Sequence, residues 1–387
     1  MESALKIEFV KYFKPFYYTM KLFGLAPYCF RNKTLNSTYR SNVVSFIWSF
    51  ILFTVVIYIS LNDLNDLKKY SILPEINIVT NISAHLLSLT SLTALLLINF
   101  VHRNKFKNLF ENLWYVDRIL FSEIDLQNTY KRMYKLILFQ VILFGIFVSL
   151  VFIDGFGWAG CRIITILSHV TYIFYCNVVC IIWHRLSIIK CKVDTIANET
   201  ETNTGINVTR LYNSMELTTD AKATVNDSSN KILMLRCAYN SIKDIDNNLN
   251  SILGTYILLE MTYNFVSFVA HAYIGILSFK FVVSGGINIL VVSLFAWILF
   301  YLAKQGIVCF LCNAASNQTQ HLQGKLQNIL LQQDNSKTHY QAQLFSTQIS
   351  RNKITFSAAG FYVLNLNIFF TYVSSAISFL IILLQFR

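Results

Sequence analysis

The apolar positions along this chain fall into seven runs. They cover roughly 43–61, 80–101, 134–153, 161–183, 252–279, 286–311 and 355–386. A helix needs about 20 predominantly apolar residues to cross a hydrocarbon core about 30 Å thick. Each run is of that order, and the last is long enough to be split into two pieces. The pattern predicts an all-α membrane protein with seven transmembrane helices. Helical periodicity also continues between the runs. In 102–133, Phe106, Leu109, Phe110, Leu113 and Trp114 make one apolar stripe, so a span is expected to run on beyond the membrane. The stretch KILMLRCAYNSIKDIDNNLNSILG feeds directly into the fifth span. Before it, NETETNTGINVTR and DAKATVNDSSN are polar and low in complexity, and residues 195–230 are expected to be partly disordered.

Composition supports the membrane reading. The 387 residues are 55% hydrophobic and 13% charged, with a mean hydropathy of +0.48. Soluble domains carry about 25% charged residues. The first 40 residues are polar and basic, so no cleaved leader is expected and the run from Val43 should be retained.

The net charge of +12 could signal nucleic acid, but its distribution argues for topology instead. Lys and Arg number seven in 1–42, seven in 102–135, eight in 184–251 and five in 304–353. The other side holds only Lys68, Lys69, Arg162, Lys280 and Arg387. Positive residues stay cytoplasmic. The N-terminus is therefore expected inside and the C-terminus outside.

The chain then divides into four parts. Residues 1–42 form a cytoplasmic N-terminal segment. Residues 43–311 form a six-helix transmembrane region with cytoplasmic helical extensions, including the long loop 184–251. Residues 312–354 form a cytoplasmic segment, and 355–387 the split seventh helix. The N-terminal KYFKPFYYTMKLFGLAPYCF mixes lysines with aromatics. It suits either the inner membrane surface, against lipid headgroups, or a helix packed beneath the spans. Most cysteines fall in spans or on the cytoplasmic side, so no disulfide framework is expected. Cys309 and Cys312 lie one turn apart in an apolar helix and are read as packing residues.

The end of the chain, SFLIILLQFR, is unusual. At 3.6 residues per turn, Ser374 or Ser375, Ser378, Ile382 and Gln385 share one stripe, with Phe386 at its edge. Polar side chains in a span normally face protein or a water-filled path. One helix cannot enclose a path, but several copies around an axis can. They would stack rings of serine, isoleucine, then glutamine and phenylalanine towards the outer mouth. The other reading of Gln385 is an ordinary helix end at the headgroups. Seven spans also suggest a G-protein-coupled receptor. Its acidic-Arg-Tyr and Asn-Pro-x-x-Tyr signatures are absent, and its N-terminus lies on the opposite side.

The tail resembles the signature of arthropod gustatory receptors, Thr-Tyr, five apolar residues, then Gln-Phe. Here it reads Ser378-Phe379, Leu380 to Leu384, Gln385-Phe386. Serine keeps the hydroxyl of threonine, while Phe379 lacks the phenol. Upstream, FSAAGFYVLNLNIFFTY resembles the run that precedes the signature in the family. Weaker resemblance covers LRCAYNSIKDIDNNLNSILG and KPFYYTMKLFGLAPY. The resemblance implies a fold shared with insect odorant receptors. It implies a ligand-gated cation channel of four subunits, identical or mixed with other gustatory receptors, in the plasma membrane of a sensory neuron. The last helix would line the pore, with Ser378, Ile382, Gln385 and Phe386 as pore and gate residues.

The family's tastant pocket lies among the spans and opens outward. The aromatic and polar groups in the outer halves of spans three to six are then the candidates: Asp154, Trp158, His169, Tyr172, Tyr263, Asn264, Ser267 and Trp297. His271 and Asn288 stand nearby. A few polar groups among aromatic walls suit a small ligand. Glu260 is mid-span and needs a partner, for which Lys304 is the candidate. Sugar-receptor subfamilies tend to carry an acid directly after the Thr-Tyr, where this chain has Leu380. That favours a bitter or deterrent ligand, or a divergent receptor of another kind; a sugar remains the alternative, because Asp154, Asn264 and the aromatics could bind hydroxyls and stack on a ring. No enzyme motif is present, and neither cofactor nor metal is expected. A secondary transporter is the alternative from another class, although no internal repeat is visible.

Overall fold

The computed structural model describes residues 101–120, 159–210, 219–282, 289–332 and 336–385, with scattered positions between 18 and 94. The N-terminal segment and the first three expected spans lie wholly or largely outside these residues. The described elements are α1 (Arg103–Leu120), α2 (Ala159–Arg210), α3 (Thr219–Val282), α4 (Ile289–Gln332) and α5 (Ser336–Arg351). A two-stranded hairpin follows, β1 (Ser357–Ala358) and β2 (Tyr362–Val363), and then α6 (Leu366–Gln385). Among the described residues four helices are long and apolar enough to cross a membrane, in α2, α3, α4 and α6. They coincide with the expected spans four to seven.

The long helices greatly exceed a bilayer. α3 has 64 residues and α2 has 52, about 96 and 78 Å at 1.5 Å per residue. Their packing explains how such lengths hold together. Along α3 one line of buried positions runs through Ile232, Leu235, Tyr239, Ile242, Asp246, Leu249, Leu253, Tyr256, Glu260, Tyr263, Ser267 and Ala270. They alternate in steps of three and four, the spacing that keeps one seam against a partner helix. α4 repeats the pattern at Tyr301, Gln305, Val308, Cys312, Ala315, Thr319, Leu322, Leu326 and Ile329. α2 packs against α4, α1 against α3, and α5 folds back on both α3 and α4. Cys309 and Cys312 are buried in this seam. The Cys312 sulfur lies 3.8 Å from the Tyr175 hydroxyl, as packing residues should. The seams are apolar or aromatic with few charged exceptions. Those exceptions, Asp117 on α1, Arg185 on α2, Asp246 and Glu260 on α3 and Lys304 on α4, mark the places where the fold does something specific.

Within 195–230, α2 runs on to Arg210 and α3 begins at Thr219, and 211–218 lie outside the described residues. Extending an existing helix needs no new nucleus, and no proline interrupts the stretch. Residues 355–386 add a detail to the expected split. The break in the last apolar run is present, but as a hairpin rather than a second helical piece. Ser357 pairs with Val363 and Ala358 with Tyr362. The turn has Ala359 at φ 51° and Gly360 at φ 79°, closed by the Phe361 N–H on the Ala358 carbonyl at 3.0 Å. Positive φ at both central positions matches the twist of a tight hairpin. Helix resumes at Leu366 behind Asn365, whose side chain accepts the Ile368 N–H at 3.0 Å as an N-cap.

The hairpin lies directly on α3. A Cβ at Gly254 would sit 3.0 Å from the backbone nitrogen of Ala359, while one at Gly324 would meet nothing within 4 Å. The two glycines therefore have opposite expected responses. Gly324→Ala should raise the melting temperature of the purified protein, because alanine favours a helix by about 1 kcal/mol. Gly254→Ala should lower it despite the same propensity gain, because backbone cannot swing aside. Equal shifts at both sites would contradict the close approach.

Candidate functional site

Two groups of side chains stand out. The first gathers where the outer halves of α2, α3 and α4 meet. The Tyr263 and Tyr301 hydroxyls lie 3.3 Å apart, and their rings meet edge to face at 6.1 Å. Trp297 stacks on Tyr301 at 5.8 Å and meets Phe300 edge to face at 5.6 Å. His271 lies 5.4 Å from Tyr301 and 6.2 Å from Trp297. Its Nδ1 donates to the Ser267 carbonyl at 2.7 Å, which places a proton on that nitrogen. On α2, His169 stacks on Tyr172 at 5.9 Å and faces Phe300 at 5.5 Å. Helical spacing produces this arrangement. Tyr263, Ser267 and His271 follow one another one turn apart on α3, as do Trp297 and Tyr301 on α4.

A buried ion pair forms the floor. Lys304 bonds Glu260, both almost fully enclosed. The other carboxylate oxygen accepts from the Ser168 hydroxyl at 2.5 Å. The Tyr256 hydroxyl donates to the Ser168 carbonyl at 2.7 Å, and the Tyr172 hydroxyl donates to the Lys304 carbonyl. The Lys304 ammonium lies 4.9 Å from the Tyr172 ring centroid and 5.9 Å from that of Phe300. Both charges are thus neutralised and hydrogen-bonded, as burial requires. Beside the pair, the Asn264 side-chain oxygen is buried and has no hydrogen-bond partner among the described residues. It is an acceptor available to a hydroxyl or amide from elsewhere.

Of the expected pocket residues, the structure brings His169, Tyr172, Tyr263, Asn264, Ser267 and Trp297 to this one region. Asp154 and Trp158 lie outside the described residues, as does Asn288. Phe300 and Tyr301 were not singled out from sequence. Their signal was their position, one turn beyond Trp297 on the same seam. The pairing of Glu260 with Lys304 is observed. Among the described residues no group of three or more His, Cys, Asp or Glu is placed to hold a metal ion.

The second group is on α6. Asn367, Thr371, Ser374, Ser378, Ile382 and Gln385 are all exposed and follow at steps of four, three, four, four and three. They form one polar stripe along the helix, interrupted only by Ile382. This resolves the choice between Ser374 and Ser375 in favour of Ser374, and it lengthens the stripe inward by Asn367 and Thr371. Thr371 donates to the Asn367 carbonyl, Ser374 to the Thr371 carbonyl and Ser378 to the Ser374 carbonyl, each at 3.0 Å. The hydroxyl protons are used along the helix, leaving oxygen lone pairs directed outward. The opposite face carries Tyr372 and Ala376, the helix's two buried residues. Tyr372 packs against Phe265 at 5.4 Å and Phe268 at 6.1 Å on α3. Phe386 lies outside the described residues.

Comparison with known proteins gives the family and the fold. A family model described as "7tm Chemosensory receptor" matches residues 13–387. No curated protein sequence matches significantly. The fold is similar to that of the insect olfactory receptor OR5 from Machilis hrabei, at 12% identity, over 99% of this chain and 100% of that one, with a TM-score of 0.68. The same receptor solved in complex with eugenol gives the same identity and coverage and a TM-score of 0.69. The expected all-α, seven-transmembrane fold is borne out.

Proposed function

This chain belongs to the 7tm chemosensory receptor family, and from that premise we propose that it is a gustatory receptor acting as a tastant-gated cation channel. The observation that carries this reading is α6. Among the described residues it is the most apolar of the four helices long enough to cross a membrane, yet it is the least buried. Its exposed surface includes a polar stripe, broken only at Ile382, that lipid would not solvate. Copies of α6 around a central axis would remove the stripe from lipid and line a water-filled path with hydroxyl and amide oxygens. Such a lining suits a partly hydrated cation of no particular identity. Ser378, Ile382, Gln385 and Phe386 would then be the pore and gate positions, in an assembly of four copies or of this chain with related subunits. The setting is the plasma membrane of a sensory neuron.

The ligand site in this reading is the aromatic cluster, with His169, Tyr172, Tyr263, Asn264, Ser267 and Trp297 as contacts and Asp154 and Trp158 as further candidates from the sequence. Aromatic walls with one unsatisfied acceptor suit a small, largely apolar molecule carrying a hydroxyl. The olfactory receptor of the same fold was solved with eugenol, a ligand of that kind. The cluster is poorer in polar groups than a sugar would need, and Leu380 packs against the core where an acid would favour sugars. A bitter or deterrent compound is therefore the proposed stimulus.

The test is whole-cell current from the protein expressed alone, with G-protein signalling blocked. The panel should contain plant bitter compounds, eugenol and sugars. A bitter-evoked cation current is expected. Phe386→Ala should raise the unliganded current about tenfold, the effect of removing one buried aromatic's worth of closure from a gate. Saturable uptake of a compound without conductance would instead establish a transporter.

A further inference from the structure

α5 ends at Arg351 and α6 begins at Leu366, so the backbone between them has no helix to satisfy it. Side chains of α3 supply the missing partners. The Tyr239 hydroxyl donates to the Asn352 carbonyl at 2.9 Å. Lys243 donates to the Lys353 carbonyl at 2.7 Å and to Asp246 at 2.8 Å. Asp246 accepts the Thr355 N–H at 3.3 Å. Asn250 does two things at once: its amide donates to the Thr355 carbonyl at 2.9 Å, and its oxygen accepts the Ser357 N–H at 3.1 Å. These residues, with Gly254, recur at steps of four, three, four and four. One face of α3 thus acts as a strand edge made of side chains, and the linker lies along it. Asp246 and Asn250 also bond each other at 3.0 Å, which fixes both rotamers.

The same α3 carries Tyr263, Ser267 and His271 further along. From Asn250 to Tyr263 is 13 residues, about 20 Å of uninterrupted helix. We infer that Asp246 and Asn250 are positioning residues for the final helix: they fix the linker through which α6 is entered, so that displacement of α3 at its aromatic end is delivered to the base of α6. The inference rests on the channel reading above. These contacts hold the linker in the arrangement described, so removing them favours any arrangement in which the linker has shifted.

The experiment measures unliganded open fraction per channel, as single-channel recordings of the full-length protein in planar bilayers. A backbone ester at Ser357, which deletes only its N–H, is expected to raise that fraction about fivefold, the effect of one lost hydrogen bond on a two-state equilibrium. Asn250→Ala, which loses that bond and two others, should raise it further. The two changes combined should be less than additive, because they remove opposite ends of one bond. A purely structural role would reduce the amount of folded protein and leave the open fraction of each channel unchanged. That result in the ester variant, which keeps every side chain, would overturn the inference, as would full additivity. Absence of any current from the wild-type protein would overturn the channel reading and this inference with it.

Discussion

Replacing Asp117 by alanine is expected to cost about 3–5 kcal/mol, enough to remove most of the folded protein. Asp117 on α1 and Arg185 on α2 form a two-pronged ion pair, Nε to Oδ1 at 2.7 Å and Nη2 to Oδ2 at 3.0 Å. Their side chains are 1% and 0% exposed, so neither charge can be solvated by water if its partner is lost. Arg185→Ala should be equally severe, because it leaves a buried carboxylate. The pair itself contributes little net stability, since both charges are desolvated to make it. The double variant Asp117→Leu with Arg185→Met should therefore be more stable than either single alanine. Thermal unfolding of detergent-purified protein, followed by size-exclusion chromatography, measures all three. A single variant that melts like wild type would show that the guanidinium reaches water.

The second large effect is expected at Glu260 and Lys304. Their side chains are 2% and 5% exposed and lie within the apolar lengths of α3 and α4. Glu260→Gln preserves shape and can keep the Ser168 bond, but it leaves the Lys304 ammonium unpaired. A cost of about 3–5 kcal/mol is again expected. Lys304→Met leaves the carboxylate unpaired and should fare no better. Combining the two restores neutrality and should recover much of the surface expression lost in each. Function gives a second readout. Lys304 lies against the rings of Tyr172 and Phe300, so the rescued double variant should respond to a ligand with an altered half-maximal concentration. Full rescue of expression with an unchanged response would separate the ion pair from the proposed ligand site. Unchanged expression in both single variants would show the pair to be unimportant.

These two ion pairs were unequally visible beforehand. A carboxylate in an apolar run is conspicuous, and the only lysine in the neighbouring apolar run was its natural partner. Arg185 and Asp117 carry no such signature, because Arg185 falls just past an apolar run and Asp117 within the polar segment 102–133, where charges are ordinary. Nothing local joins two residues 68 positions apart. The hairpin shows a different limit. Ile354, Phe356 and Ala358 are buried while Thr355 is exposed, a period of two. The surrounding residues are nevertheless apolar enough to be absorbed into a span. Only the positive-φ pair Ala359-Gly360 and the cap Asn365 marked the boundary.

The sequence by itself determined the features that depend on local spacing. These are the expected spans four to seven, their extension beyond the membrane, and the stripe on α6. Apolar length and helical period are properties of consecutive residues, and the bilayer imposes them directly. Tertiary structure alone decided where the linker after α5 finds its hydrogen bonds. The motif around Asp246 and Asn250 was legible as a helix, but not as a cradle. Its partners are backbone groups more than 100 residues away. Backbone groups are alike at every position, so no sequence pattern names them. Only the folding of α5 against α3 brings them within reach.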